Sequence, residues 1–119
     1  LKNVGKLVAI KSGNTVTLQF DMIGNYAIRE LHIYISTVSP PHYTHPNQFP
    51  YHYEVAYYNQ FSLSYYLADK CPHGTLNCPV YIVVYGYQSP ENPTPFTNEM
   101  WNVGQTPFQN LFPLEVWLI

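Results

Sequence analysis

The chain has 119 residues and a formal net charge of −2, with only 10% of residues charged; about 25% is usual for a soluble domain. That length fits a single domain over 1–119 with a sizeable core. The five basic residues form no stripe able to displace counterions from phosphates, which argues against nucleic-acid binding. No run of about 18 apolar residues exists, so membrane insertion by a helix is not expected. Twelve tyrosines, six phenylalanines and two tryptophans in so weakly charged a chain favour burial over disorder.

Period-two alternation dominates, and no segment sustains helical spacing. Residues 4–10 read as a first strand that ends at Gly13-Asn14, a two-residue hairpin signal. Residues 15–20 follow, with Val16, Leu18 and Phe20 on one face. Gly24-Asn25 marks a second turn. The strand over 26–37 puts Leu31, Ile33 and Ile35 inward, and Ile28, Glu30, His32 and Tyr34 outward.

Residues 39–50 contain four prolines and predict an extended, polyproline-like crossover. Two tyrosine-rich strands follow at 51–58 and 60–67. Cys71 and Cys78 then bracket a short Pro/Gly loop, a spacing suited to a disulfide and an oxidising, extracellular compartment. Closing so short a ring contributes about 2–3 kcal/mol in the chain-entropy picture. Residues 80–87 are apolar on both faces, as in a central strand. A Pro/Asn-rich excursion over 89–113 carries aromatics that suggest it packs, and a last strand at 114–119 ends on bare apolar residues. Strands of this number and spacing predict an all-β, two-sheet antiparallel sandwich, Ig-like or jelly-roll-like, with long Pro-rich loops. With no initiator Met and no basic-then-apolar leader, a mature product or an excised domain is expected.

Several segments together resemble a family of secreted β-sandwich modules found in cell-surface and matrix proteins of bacteria and some eukaryotes. They are Val4-Gly5-Lys6-Leu7-Val8, Glu30-Leu31-His32-Ile33-Tyr34-Ile35, Pro46-Asn47-Gln48-Phe49-Pro50-Tyr51, Tyr81-Ile82-Val83-Val84-Tyr85-Gly86 and Asn98-Glu99-Met100-Trp101. The family patterns that they echo are VGxVxV, ExHxYxG, PGQFPY, YIAAHA and ETAW. The resemblance implies a sandwich and an extracellular setting, and implies no activity. Asn47 stands where the family has Gly, and Tyr85 where it has His.

Glu30 and His32 share a strand face, and with His52, which directly follows the Pro46–Tyr51 segment, and Glu99, which sits in the last family-like segment, they form a candidate polar cluster. Two readings compete for it: a metal site, or a hydrogen-bonded network pinning the crossover to the sheet. The second is favoured, because the four closed ligands of structural zinc are not evident; no cofactor is expected. Catalysis is not expected either. There is no nucleophile-elbow Gly-x-Ser-x-Gly, and a carboxylate pair among Glu30, Glu54 and Glu99 has no supporting spacing. The tyrosines point instead to a recognition surface, since the side chain joins a large apolar body to a polar tip. Interface candidates are Tyr57, Tyr58, Tyr66, Trp117, Leu118 and Ile119. The expected function is an extracellular structural subunit that forms a homo-oligomer or polymer. The alternative is a lectin-like module binding a glycan on the loops at 39–50 and 89–113.

Overall fold

The structure, a computed structural model, describes residues 3–37, 46–67, 80–90, 98–101 and 114–119. Eight strands occupy these residues: β1 (Gly5–Ser12), β2 (Thr15–Met22), β3 (Tyr26–Ser36), β4 (Tyr51–Tyr58), β5 (Gln60–Tyr66), β6 (Tyr81–Pro90), β7 (Asn98–Trp101) and β8 (Leu114–Leu118). They form two four-stranded sheets, β5-β2-β1-β8 (sheet I) and β4-β3-β6-β7 (sheet II). All pairings are antiparallel. The fold is the expected all-β sandwich. Its order of β1-β2-β5 facing β4-β3-β6-β7 follows the immunoglobulin-type Greek key, with β8 added beside β1.

Alternation builds the core. From sheet I, Leu7, Val16, Leu18 and Phe20 point inward; from sheet II, Leu31, Ile33, Ile82 and Val84 meet them, all 2% exposed or less. Burying side chains of this size contributes about 1.5–3 kcal/mol each. The β1–β2 turn holds Gly13 at φ 60°, and the β2–β3 turn holds Gly24 at φ 56°, both in the left-handed region that glycine adopts without strain. Asn59 joins β4 to β5 and so carries the chain from one sheet to the other. Its carbonyl accepts from Met22 N (2.8 Å), and its side-chain amide donates to Tyr26 O (2.9 Å). That residue clamps the crossing to the β2–β3 turn.

The structure departs from the sequence expectation at four places. Ile28 faces the core, fully buried, instead of the outer face, because the ladders on both sides of β3 shift register between Ile28 and Glu30. The extra residue of a bulge reverses the alternation on one side of it. The described end of the crossover is not extended: Pro46–Gln48 forms one 3₁₀ turn, closed by Phe49 N donating to Pro46 O at 3.0 Å. The excursion at 89–113 contains a strand, β7, paired along β6. Its four residues between proline-rich stretches are too few to show a period. Finally, β8 is not a free end, since it pairs with β1 over five positions and buries Leu118 completely. The proposed Cys71–Cys78 disulfide lies outside the described residues.

From Ile82 to Gly86, β6 is buried on both faces, as its sequence predicts. Ile82 and Val84 enter the core between the sheets, while Val83 and Tyr85 form a second cluster on the outer side of sheet II. Phe49 covers that cluster, with its ring 6.3 Å from Tyr34 in an edge-on arrangement.

Candidate functional site

The polar cluster sits beside this covered patch, and strand register assembles it. Alternation beyond the bulge turns Glu30, His32 and Tyr34 to the outer face of sheet II. β4 runs antiparallel alongside, with His52 directly opposite His32 and Glu54 opposite Glu30. Residues directly opposite on neighbouring strands share a face. Two histidines 20 positions apart in sequence therefore become neighbours.

Their rings stack, with centroids 4.3 Å apart and planes 11° from parallel. The Glu30 carboxylate bridges both: His32 Nε2 donates to Oε2 and His52 Nε2 donates to Oε1, each at 3.2 Å. Burial grades across the group, with side-chain exposures of 14% for His32, 23% for Glu30 and 47% for His52. On the inner flank, Tyr85 of β6 stands opposite His32 with its ring 5.8 Å away. Burial pushes the Glu30 carboxyl up, but the hydrogen bonds from His52 and His32, with their charges, outweigh it and hold the group below its ordinary range. The carboxylate is therefore ionised at neutral pH, and one nitrogen from each histidine and one carboxylate oxygen lie within 4.8 Å of one another.

Three of the four residues singled out from sequence thus converge. Glu99 occupies the same row of sheet II, but two strands away: it registers with Tyr87, which registers with Glu30. At about 5 Å per strand this separates the backbones by about 10 Å. The hydrogen bonds of the network run within β3 and from β3 to β4, and Phe49, packed on Val83 and Tyr85, anchors the described part of the crossover. Glu54, opposite Glu30 and exposed, gains its place only through register.

The aromatic candidates separate cleanly. Tyr57, Tyr58, Tyr66 and Trp117 are 39%, 47%, 65% and 45% exposed, whereas Leu118 is core and Ile119 is half-buried. Lys6 Nζ lies 5.8 Å from the Trp117 ring centre. Tyr51, not singled out beforehand, is also exposed. Other tyrosines seal the β4–β5 side of the sandwich. Tyr53 and Tyr65 share a hydroxyl–hydroxyl bond of 2.9 Å, and Tyr51 packs its ring 4.7 Å from that of Tyr65. Burial, then the bond to Tyr53, pushes the Tyr65 phenol well above its ordinary range.

No family of known proteins, no curated protein and no solved structure matches the chain. Its own geometry carries the functional reading.

Proposed function

We propose that this domain is an extracellular structural module that assembles with copies of itself through its sheet edges. One observation carries the reading: of the aromatic rings whose exposure the structure describes, every exposed one lies on an edge strand. Tyr51, Tyr57 and Tyr58 are on β4, Tyr66 is on β5 and Trp117 is on β8. An edge strand presents unpaired backbone groups, and proteins that stay monomeric blunt such edges with charge, proline or a covering loop. β5, Gln60-Phe61-Ser62-Leu63-Ser64-Tyr65-Tyr66, has neither charge nor proline. Large aromatic rings with polar tips are what protein interfaces favour.

Tyr57 adds support. Its φ of 57° lies in the left-handed region, which a non-glycine residue occupies at about 1–2 kcal/mol. Glycine or asparagine would relieve that strain, yet a large, exposed ring occupies the position. The resemblance to cell-surface and matrix modules agrees with assembly outside the cell.

The carbohydrate reading loses part of its platform. Of the loop aromatics assigned to it, Phe49 is buried on Val83 and Tyr85, where no sugar ring reaches it. Negative-stain electron microscopy of concentrated protein tests the assembly reading. Filaments or layers are expected, and a field of dispersed single domains overturns it.

A further inference from the structure

The Glu30–His32–His52 group offers a chemistry that self-assembly does not require. Two imidazole nitrogens and one carboxylate oxygen lie within 4.8 Å of one another, on adjacent strands whose backbones pair in unbroken register from Glu30 to Ile33. Zinc bonds to histidine nitrogen at about 2.0–2.1 Å and to carboxylate oxygen at about 2.0–2.2 Å. Ligands in a tetrahedral shell of that radius stand about 3.4 Å apart. The observed separations of 3.2 Å from each Nε2 to the carboxylate, and of at most 4.8 Å across the group, are close to that spacing, and binding requires the stacked imidazoles to swing out of parallel so that both in-plane Nε2 lone pairs point at one ion.

We propose that Glu30, His32 and His52 form a binding site for one divalent transition-metal ion. Two nitrogens and an oxygen suit Zn²⁺, Cu²⁺, Ni²⁺ or Co²⁺, whereas Ca²⁺ and Mg²⁺ prefer all-oxygen shells. On binding, each histidine gives up the Nε2 proton that it donates to Glu30: a neutral ring moves its proton to Nδ1, a protonated ring releases one proton to water, and Nε2 then coordinates the ion while the ionised carboxylate supplies the negative charge. His52 lies at the solvent side, so water completes the coordination there; the Tyr85 ring flanks His32 on the other side. The ion would bridge β3 to β4 and fasten the edge strand that carries Tyr51, Tyr57 and Tyr58.

The test is isothermal titration of the full chain, first stripped with chelator, with zinc chloride and with cobalt chloride at neutral pH. A saturable 1:1 event is expected. His32→Gln, His52→Gln and Glu30→Gln should each weaken it at least about tenfold, a loss that even changes behind the ligands can produce. A variant with His42, His45 and His73 all changed to Gln should bind as the unaltered chain does. Nitrogen-15 spectra of the unaltered protein provide a readout that depends on no substitution: zinc should shift Nε2 of His32 and His52. Absence of saturable binding overturns the proposal. So does binding that survives all three site substitutions, or that disappears with His42, His45 and His73 while the His32 and His52 nitrogens stay unmoved.

Discussion

The two outer faces of the sandwich obey the same alternation and use it differently. On sheet I, the two middle outward rows run Ser62–Gln19–Val8 and Ser64–Thr17–Ile10, short polar and aliphatic side chains in which the bond between Thr17 and Ser64 hydroxyls (2.9 Å) is exposed, and the flanking rows end in the edge rings of Trp117 and Tyr66. On sheet II, the rows run Glu54–Glu30 and His52–His32–Tyr85, with a bridging carboxylate, stacked rings and a phenylalanine lid nearby. Period two decides which positions face outward. What they do depends on which residues the register sets side by side.

Substitutions can sharpen or break that contrast. Leu31→Ala sets the upper scale, because Leu31 is fully buried and next to His32 on β3. It should lower unfolding free energy by about 2–5 kcal/mol in denaturant melts. A loss under about 1 kcal/mol would mean that the inward face of β3 is not core.

Alkaline pH probes the tyrosine seal between the sheets. The folded state holds the Tyr65 phenol neutral, while in the unfolded chain it ionises near pH 10. Its contribution is therefore complete below about pH 10 and falls as pH rises above it. Phenolate absorbance should show one tyrosine that titrates only as the sandwich unfolds. Reversible ionisation of every tyrosine near pH 10, with the fold intact, would contradict the burial of Tyr65 behind its bond to Tyr53.

The faces themselves are compared by a matched pair of variants. Glu30→Gln removes the charge that both histidines address and should destabilise the chain by about 1 kcal/mol, since hydrogen bonds to charged groups on a partly exposed surface are worth roughly that. Thr17→Ala, on the opposite face, should stay within about 0.5 kcal/mol. Equal losses would erase the distinction between the two faces.

Much of this was legible in the sequence, for physical reasons. A sandwich strand buries every second residue, so Val16, Leu18 and Phe20, and likewise Leu31, Ile33 and Ile35, announce their inward faces. Glu30 and His32 share a face by the same rule. Ile28 was misread because a bulge adds a residue without leaving a mark in the hydrophobic pattern. The meeting of His52 with His32 depends on β3–β4 register, which alternation within a single strand does not encode. Leu118 looked like an exposed apolar end, because the sequence does not say that β8 finds β1. For the same reason, only the strand order shows that Tyr51, Tyr57, Tyr58, Tyr66 and Trp117 all stand on edges.

Self-association through those edges is the central claim, and sedimentation velocity tests it most directly. The unaltered chain and a Tyr58→Lys/Tyr66→Lys variant are compared at a low and a high concentration. The unaltered chain should grow in mean mass with concentration, while the variant, with charge placed on the edge strands β4 and β5, stays at the 13.8 kDa of one chain. An unaltered chain that remains at 13.8 kDa at both concentrations would contradict the account.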